Sequence, residues 1–193
     1  MIVYYFTYYF TKVLSFTFFP RKVYGLEHVP KEGAYILVSN HISNLDPVVL
    51  GVSTPRRLHF MAKIELFESP LQGWWLKKLW AFPIKRGEGD FGALKVALKL
   101  LKDGFPVLLF PEGTRRIDKP IPAQPGAGFI ALKAKVPIVP VYVKGSNQAM
   151  PPGAKFFKRS LVTVTYGPAF DVNDCQTPQA AADKILTEIY KLA

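Results

Sequence analysis

Three short apolar runs constrain this chain more than any other feature. Residues 33–39, 105–110 and 137–143 are each six or seven residues long, rich in Val, Ile, Leu and Phe, and bounded by Gly, Pro or polar residues. Runs of that length suit strands covered on both faces. Residues 161–166 alternate apolar positions with Thr and are strand-like too, while 58–62 and 81–84 are weaker candidates. Helical patterns fall between them. Asp90 is placed to cap a helix over 91–102, where Leu94, Ala97, Leu98 and Leu101 share a face and Gly104 provides the stop. Residues 128–135 predict a shorter helix, and Thr177-Pro178 opens an amphipathic one running to about Leu192. Strands alternating with helices predict an α/β fold, a largely parallel mixed sheet flanked by helices. Ligands of such sheets gather beyond the carboxyl ends of the strands.

At 193 residues the chain is large enough for one well-buried domain. Its net charge of +11 predicts an acidic partner: an anionic membrane surface, nucleic acid or an acidic carrier protein. The basic residues are scattered singly and in pairs, and no zinc-finger spacing or RNA-binding aromatic motif accompanies them, so nucleic acid is not expected. The single cysteine, Cys175, rules out an intrachain disulfide. Three scattered histidines and one cysteine give no metal site.

The first 19 residues hold nine aromatics and one charge, Lys12. They lack the basic leader and small-residue cleavage site of a signal peptide, and their length is borderline for a span, which takes about 20 apolar residues. Tyrosine-rich composition suits a membrane interface. The expectation is a helix dipping into one leaflet, with Arg21 and Lys22 placed to meet lipid phosphates at the cytoplasmic face. A core helix and a full span are the alternatives. Residues 71–80, with Trp74, Trp75, Trp80, Lys77 and Lys78, form a second interfacial candidate, equally readable as a helix packing tryptophans into the core.

Two segments about 65 residues apart carry the chemistry: Asn40 to Asp46 and Phe110 to Arg115. His41 and Asp46 would stand about 140° apart on a regular helix. Pro47, however, disfavours helix at Asp46 and suits the first turn of a helix beginning there. Asp46 can then fold back from a loop, fix one ring nitrogen of His41 and leave the other to take a proton. Asp46 as a helix cap beside a core histidine reads equally well. In the second segment Gly113 permits a positive φ, and Arg115 supplies a planar fork for phosphate; a surface turn with a salt bridge is the plain alternative. Lys63, following a strand, and Arg86, in the loop before Asp90, are further candidate phosphate ligands. His28 and His59 read as structural. No Gly-x-Ser-x-Gly elbow is present, so no serine nucleophile is expected.

Four blocks in order resemble the glycerolipid acyltransferase superfamily, most nearly its bacterial 1-acylglycerol-3-phosphate acyltransferases. They are Asn40-His41 through Asp46, then Pro83 to Asp90, then Phe-Pro-Glu-Gly-Thr-Arg at 110–115, then Val-Pro-Ile-Val-Pro-Val at 136–141. Arg116 departs from the pattern, many relatives having serine there. The resemblance covers roughly residues 24–170, and the chain is short for the family, which suggests a minimal catalytic domain: an interfacial helix over 1–20 and a single acyltransferase domain over 21–193.

The resemblance implies transfer of a fatty acyl group from a thioester, acyl-CoA or acyl-ACP (acyl carrier protein), to the sn-2 hydroxyl of lysophosphatidic acid, giving phosphatidic acid. His41, oriented by Asp46, would be the base. Lys63, Arg86, Glu112, Gly113, Thr114 and Arg115 would bind substrate, with Glu112 positioning its neighbours, and residues 136–141 would line or support the acyl pocket. No cofactor or metal is expected, and the setting would be the cytoplasmic face of the cytoplasmic membrane. Alternatives are the same chemistry on glycerol 3-phosphate or another lysolipid, a thioesterase, or a non-catalytic membrane-binding protein.

Overall fold

The computed structural model describes residues 2–85, 90–115, 121–151, 153–154 and 156–193. Among the described residues seven strands form one sheet: β1 (Arg21–Tyr24), β2 (Ile36–Ser39), β3 (His59–Lys63), β4 (Ala81–Ile84), β5 (Val107–Leu109), β6 (Ile138–Lys144) and β7 (Val162–Tyr166). Their order is β1-β7-β6-β2-β5-β3-β4. The five strands from β6 to β4 run parallel, β7 pairs antiparallel with β6, and β1 joins β7 in parallel. This is the expected largely parallel mixed sheet. Strand β1 was not anticipated, because four residues at an edge with an alternating burial pattern carry little apolar signal.

Seven α-helices among the described residues accompany the strands: α1 (Ile2–Phe18), α2 (Asp46–Ser53), α3 (Pro70–Lys78), α4 (Phe91–Lys102), α5 (Pro125–Ala134), α6 (Ser146–Ala149) and α7 (Pro178–Tyr190). Alternating side chains of the sheet feed two cores. Leu37, Leu108, Val139 and Val141 pack with Leu45, Val49 and Leu50 on the α2 side. Ile36, Val38, Val107, Leu109 and Ile138 face Ala97, Leu101, Ile130, Ile185 and Ile189 of α4, α5 and α7. Strand β2 is therefore wholly buried, which is why its sequence is continuously apolar rather than alternating.

Caps fall where the residue types put them. The Asp90 carboxylate accepts from the backbone N–H of Ala93 at 3.0 Å and of Lys85 at 2.8 Å, so it starts α4 and ties that start to the residue after β4. Those two bonds hold its carboxyl below the usual range. Thr177 caps α7 by accepting from Ala180 N–H. Helix α5 begins at Pro125, three residues earlier than expected from its apolar pattern, because proline suits a first helical turn.

Helix α1 lies against α2 and α3. Trp75 Nε1 donates to Thr7 Oγ1 at 3.3 Å, so the two interfacial candidates are neighbours. Phe6, Tyr9, Phe10, Val13 and Phe16, spaced to share one helical face, are all more than half exposed, as is Leu71, with Trp74 at 50%. The tryptophans divide: Trp74 and Trp75 are exposed, whereas Trp80 adopts φ +68° and turns its ring against His59, 5.0 Å away. Arg21 and Lys22 also part company, since neighbours in a strand point to opposite faces. Lys22 is exposed, but Arg21 is partly buried, with Nε and Nη1 unpartnered among the described residues, and burial lowers its pKa. Among the described residues no helix is long and apolar enough to cross a membrane.

Helices α5 and α7 approach closely at Gly128. A Cβ there would lie 1.9 Å from the Pro178 carbonyl oxygen and 2.8 Å from Ala182 N, both rigid backbone atoms. Gly128→Ala is expected to lower the unfolding free energy by about 1–3 kcal/mol through overpacking. Urea denaturation beside wild type measures it, and an unchanged midpoint would contradict the packing described.

Candidate active site

Strand β2 ends at Ser39, and its chain is then gripped from the neighbouring strand. Asn40 Nδ2 donates to Val143 O at 2.8 Å, and Val143 N–H donates to Asn40 Oδ1 at 2.7 Å. The side-chain amide thus extends the β2–β6 ladder past the last backbone pair, and it fixes where His41 leaves the sheet. The fourth sequence block largely becomes β6, whose Val139 and Val141 are fully buried. It supports this clamp from the core, and neither valine has surface to offer a pocket.

His41 and Asp46 meet. Asp46 opens α2 and is completely buried. Its Oδ2 accepts from His41 Nδ1 at 2.8 Å, Ile42 N–H at 2.7 Å and Ser43 N–H at 2.8 Å, and its Oδ1 accepts from Ser146 Oγ. The two readings of Asp46 are therefore not exclusive. The carboxylate organises the loop backbone and holds the imidazole with the same oxygen. A carboxylate can only accept, so Nδ1 carries the proton and Nε2 presents its lone pair. Among the described residues Nε2 has no hydrogen-bond partner. Phe110 stacks on the ring with centroids 4.2 Å apart, which limits tilting.

Glu112 reaches the same loop from the end of β5. It is 1% exposed; Oε2 accepts from His41 N–H at 2.8 Å and Oε1 from Tyr190 Oη at 2.7 Å. Gly113 adopts φ +68°, and its missing Cβ would stand 2.9 Å from Gln124 Cγ, so both conformation and space call for glycine. Thr114 is exposed and Arg115 partly so, in the turn beyond. Lys63 ends β3, exposed, at the same carboxyl edge of the sheet. Arg86 and Arg116 lie outside the described residues.

Sequence reasoning missed Ser146, Tyr190 and the Asn40 clamp as parts of the site. Ser146 stands just past β6, after Gly145, and a serine beyond a strand on the ligand edge was its only signal. Tyr190 carried none. His28 is structural, with Nδ1 at 3.1 Å from the Tyr166 carbonyl oxygen. Cys175 precedes α7, and burial together with the Asp174 carboxylate pushes its thiol pKa up, which makes it a poor nucleophile. Among the described residues no three His, Cys, Asp or Glu side chains gather as metal ligands would.

A histidine with one nitrogen fixed and the other open, at the carboxyl edge of a parallel sheet, suits proton removal from a hydroxyl. The Acyltransferase family model matches residues 20–144. The 1-acyl-sn-glycerol-3-phosphate acyltransferase of Bacillus subtilis is 35% identical over 147 residues, 76% of this chain and 71% of that protein. The enzyme of the same name from Streptococcus pneumoniae is 34% identical over 82% of this chain, which spans 60% of its length. Among solved structures, the 1-acyl-sn-glycerophosphate (LPA) acyltransferase PlsC of Thermotoga maritima superposes with a TM-score of 0.80 at 26% identity, over 96% of this chain and 76% of that one. By sequence and by fold, this chain belongs to the acyltransferase family.

Proposed function

We propose that this protein moves a fatty acyl group from acyl-CoA or acyl-ACP to the sn-2 hydroxyl of 1-acylglycerol 3-phosphate, forming phosphatidic acid in phospholipid biosynthesis. The observation that carries this is the His41–Asp46 pair, 2.8 Å apart with Nε2 open, in a chain whose relatives bear that enzyme's name. His41 Nε2 takes the proton as the hydroxyl oxygen attacks the thioester carbonyl. The new C–O ester bond forms, the C–S bond breaks, and the imidazolium returns its proton to the departing thiolate. Asp46 stabilises that imidazolium without itself being protonated. The donor brings the activated acyl group, so the reaction calls on no cofactor.

Lys63, Arg86 and Arg115 are the cations assigned to the acceptor phosphate, and Thr114 is assigned to it as well. Glu112 acts as a positioning group: both its oxygens are engaged, one by His41 N–H, which leaves it unsuited to carrying protons during turnover. Residues 1–20 serve as an interfacial helix on a single acyltransferase domain, 21–193, with the exposed aromatic face of α1 and Trp74 and Trp75 of α3 resting on the cytoplasmic face of an anionic membrane.

Acyl transfer to lysophosphatidate in detergent micelles, with CoA and ACP donors in parallel, tests the reading. His41→Ala is expected to lose roughly 10²–10⁴-fold in kcat while remaining folded. Turnover retained in a folded His41→Ala protein would remove the base from this mechanism, and product only with another acceptor would redirect the substrate. Tyr190→Phe withdraws one of the two donors on Glu112. A fall of about tenfold in kcat, about 1.4 kcal/mol in the barrier, with KM little changed, is expected. A change confined to thermal stability would make the contact merely structural.

Replacing Phe6, Phe10 and Trp74 together by Ala should weaken co-sedimentation with anionic vesicles by at least about tenfold, given roughly 1.5–3 kcal/mol per buried aromatic. The rate on detergent-dispersed substrate should hold. Unaltered sedimentation would place the membrane contact elsewhere.

A further inference from the structure

The connection from β6 to β7 runs over residues 145–161. Because those two strands are antiparallel neighbours, it lies at the end of the sheet where β6 finishes and Asn40 grips Val143, the edge that carries His41. Two bonds tie its inner end to the catalytic loop: Ser146 Oγ donates to Asp46, and Ser43 Oγ donates to the Met150 carbonyl oxygen at 2.9 Å. Its outer end is tied to α1, since Ser160 N–H donates to the Phe18 carbonyl oxygen at 3.2 Å. Lys158 N–H donates to the Ala149 carbonyl oxygen at 2.8 Å, which closes the chain between them into a compact loop.

The tip of this loop is apolar where water favours the reverse. Phe156 is 83% exposed, and its neighbour Phe157 is 42% exposed. Phe157 is braced all the same: its ring centroid stands 6.0 Å from that of Phe18 and 5.9 Å from that of Phe19. The charge around the pair is of one sign. Residues 150–161 hold Lys155, Lys158 and Arg159 and no Asp or Glu. Lys158 and Arg159 are exposed and form no ion pair among the described residues. Single apolar side chains on a surface are ordinary, but adjacent exposed aromatics beside two cations ask for a partner that is apolar and anionic together. A bilayer of anionic lipids meets both demands, with hydrocarbon beneath a layer of phosphates. Continuity favours it too: Phe157 leans on the carboxyl end of α1, and the last turns of that helix present Val13 and Phe16, both more than half exposed.

We propose that Phe156 and Phe157 enter the interface of an anionic bilayer, with Lys158 and Arg159 at the level of its phosphates, as a second membrane contact beside the carboxyl end of α1. This contact rests on the membrane reading given above for α1, and it extends that surface to the loop hydrogen-bonded to the catalytic carboxylate. Lipid around the tip braces residues 146–150, and through Ser146 and Ser43 it braces the loop that bears His41. No lipid at the tip needs to touch the reacting atoms.

Cys175 is the chain's one cysteine, so Cys175→Ser permits a single labelled position. An environment-sensitive thiol fluorophore is placed at Phe156→Cys, at Val13→Cys on α1, and at Lys95→Cys on α4, which packs on the other face of the sheet. Each protein is mixed with vesicles of phosphatidylcholine and phosphatidylglycerol, with and without lipids carrying a nitroxide near the top of the acyl chain. Emission at 156 and at 13 is expected to shift to the blue and to be quenched by the nitroxide, and emission at 95 to do neither. In the unlabelled chain, Phe156→Ser should weaken co-sedimentation with the same vesicles about tenfold. Lys158→Gln with Arg159→Gln should weaken it by at least about tenfold at low salt, with the difference shrinking at about 0.3 M salt.

A label at 156 that stays in water while the label at 13 is quenched would overturn the second contact and leave the docking of α1 standing. Silence at both would overturn the two together, and equal quenching at 95 would reduce the response to unspecific adsorption. A blue shift at 156 without vesicles, growing with protein concentration, would make the tip a contact between copies of this chain and likewise overturn the proposal. Acyl transfer by Phe156→Ser to detergent-dispersed lysophosphatidate should match wild type, whereas transfer to lysophosphatidate embedded in vesicles should fall in step with binding. Failure of the acyl-transfer reading shows in the wild type, and failure of the tip contact shows in the label, so the two are separately visible.

Discussion

The buried carboxylate of Asp46 is the constraint on which the catalytic edge depends. A carboxylate removed from water costs several kcal/mol unless its lone pairs are met. Asp46 is met by two backbone N–H groups, one imidazole N–H and one hydroxyl. Each donor is thereby fixed in place. The two amides hold the loop after β2, the imidazole becomes a single tautomer, and Ser146 attaches the start of α6 to the start of α2. The loop cannot relax without stranding a charge in the core, and this is how a six-residue segment between β2 and α2 holds a base steadily.

A second buried carboxylate repeats the principle one strand away. Glu112 takes its donors from His41 N–H and from Tyr190 at the far end of α7. Helix α7 reaches that point because Gly128 lets α5 approach it at backbone distance. Close helix packing on one face of the sheet is thereby coupled, through one tyrosine and one glutamate, to the backbone of the loop at the carboxyl edge. The stacked Phe110 ring, from the same segment as Glu112, completes the cage around the imidazole.

What was legible in the sequence was local. Asp90, Gly104, Thr177 and Pro178 mark helix ends through their own backbone chemistry, and α4 spans the residues that its cap and stop imply. Buried strands announce themselves by continuous apolar runs, and Pro47 marked the first turn of α2, although Asp46, expected in the loop before it, is already the first residue of that helix. Long-range partners were not legible. Tyr190 lies 78 residues from Glu112, and Ser146 lies 100 from Asp46. Both are ordinary residue types whose meaning arises only when the sheet order brings β6 and α7 beside β2 and β5. The pairs Arg21-Lys22 and Trp75-Trp80 failed for a related reason. Composition grouped side chains that strand alternation and a left-handed turn at Trp80 then sent to different faces.

The position of α1 joins these features. Its carboxyl end passes through the buried Phe19 into β1, whose first residue pairs with Val162. Because β7 runs antiparallel to β6, with Thr163 opposite Lys144, that pairing lies at the edge where β6 ends and Asn40 grips Val143. The apolar stripe of α1 therefore runs toward the edge that carries His41. Its aromatic residues are exposed on the side turned from α2 and α3, the reverse of an ordinary amphipathic surface helix. Burying that stripe in a bilayer interface would recover about 25 cal/mol for each Å² covered. The burial of one carboxylate sets which nitrogen of His41 is open, and under the proposed membrane docking the reversed polarity of one helix would set where that nitrogen meets its substrate.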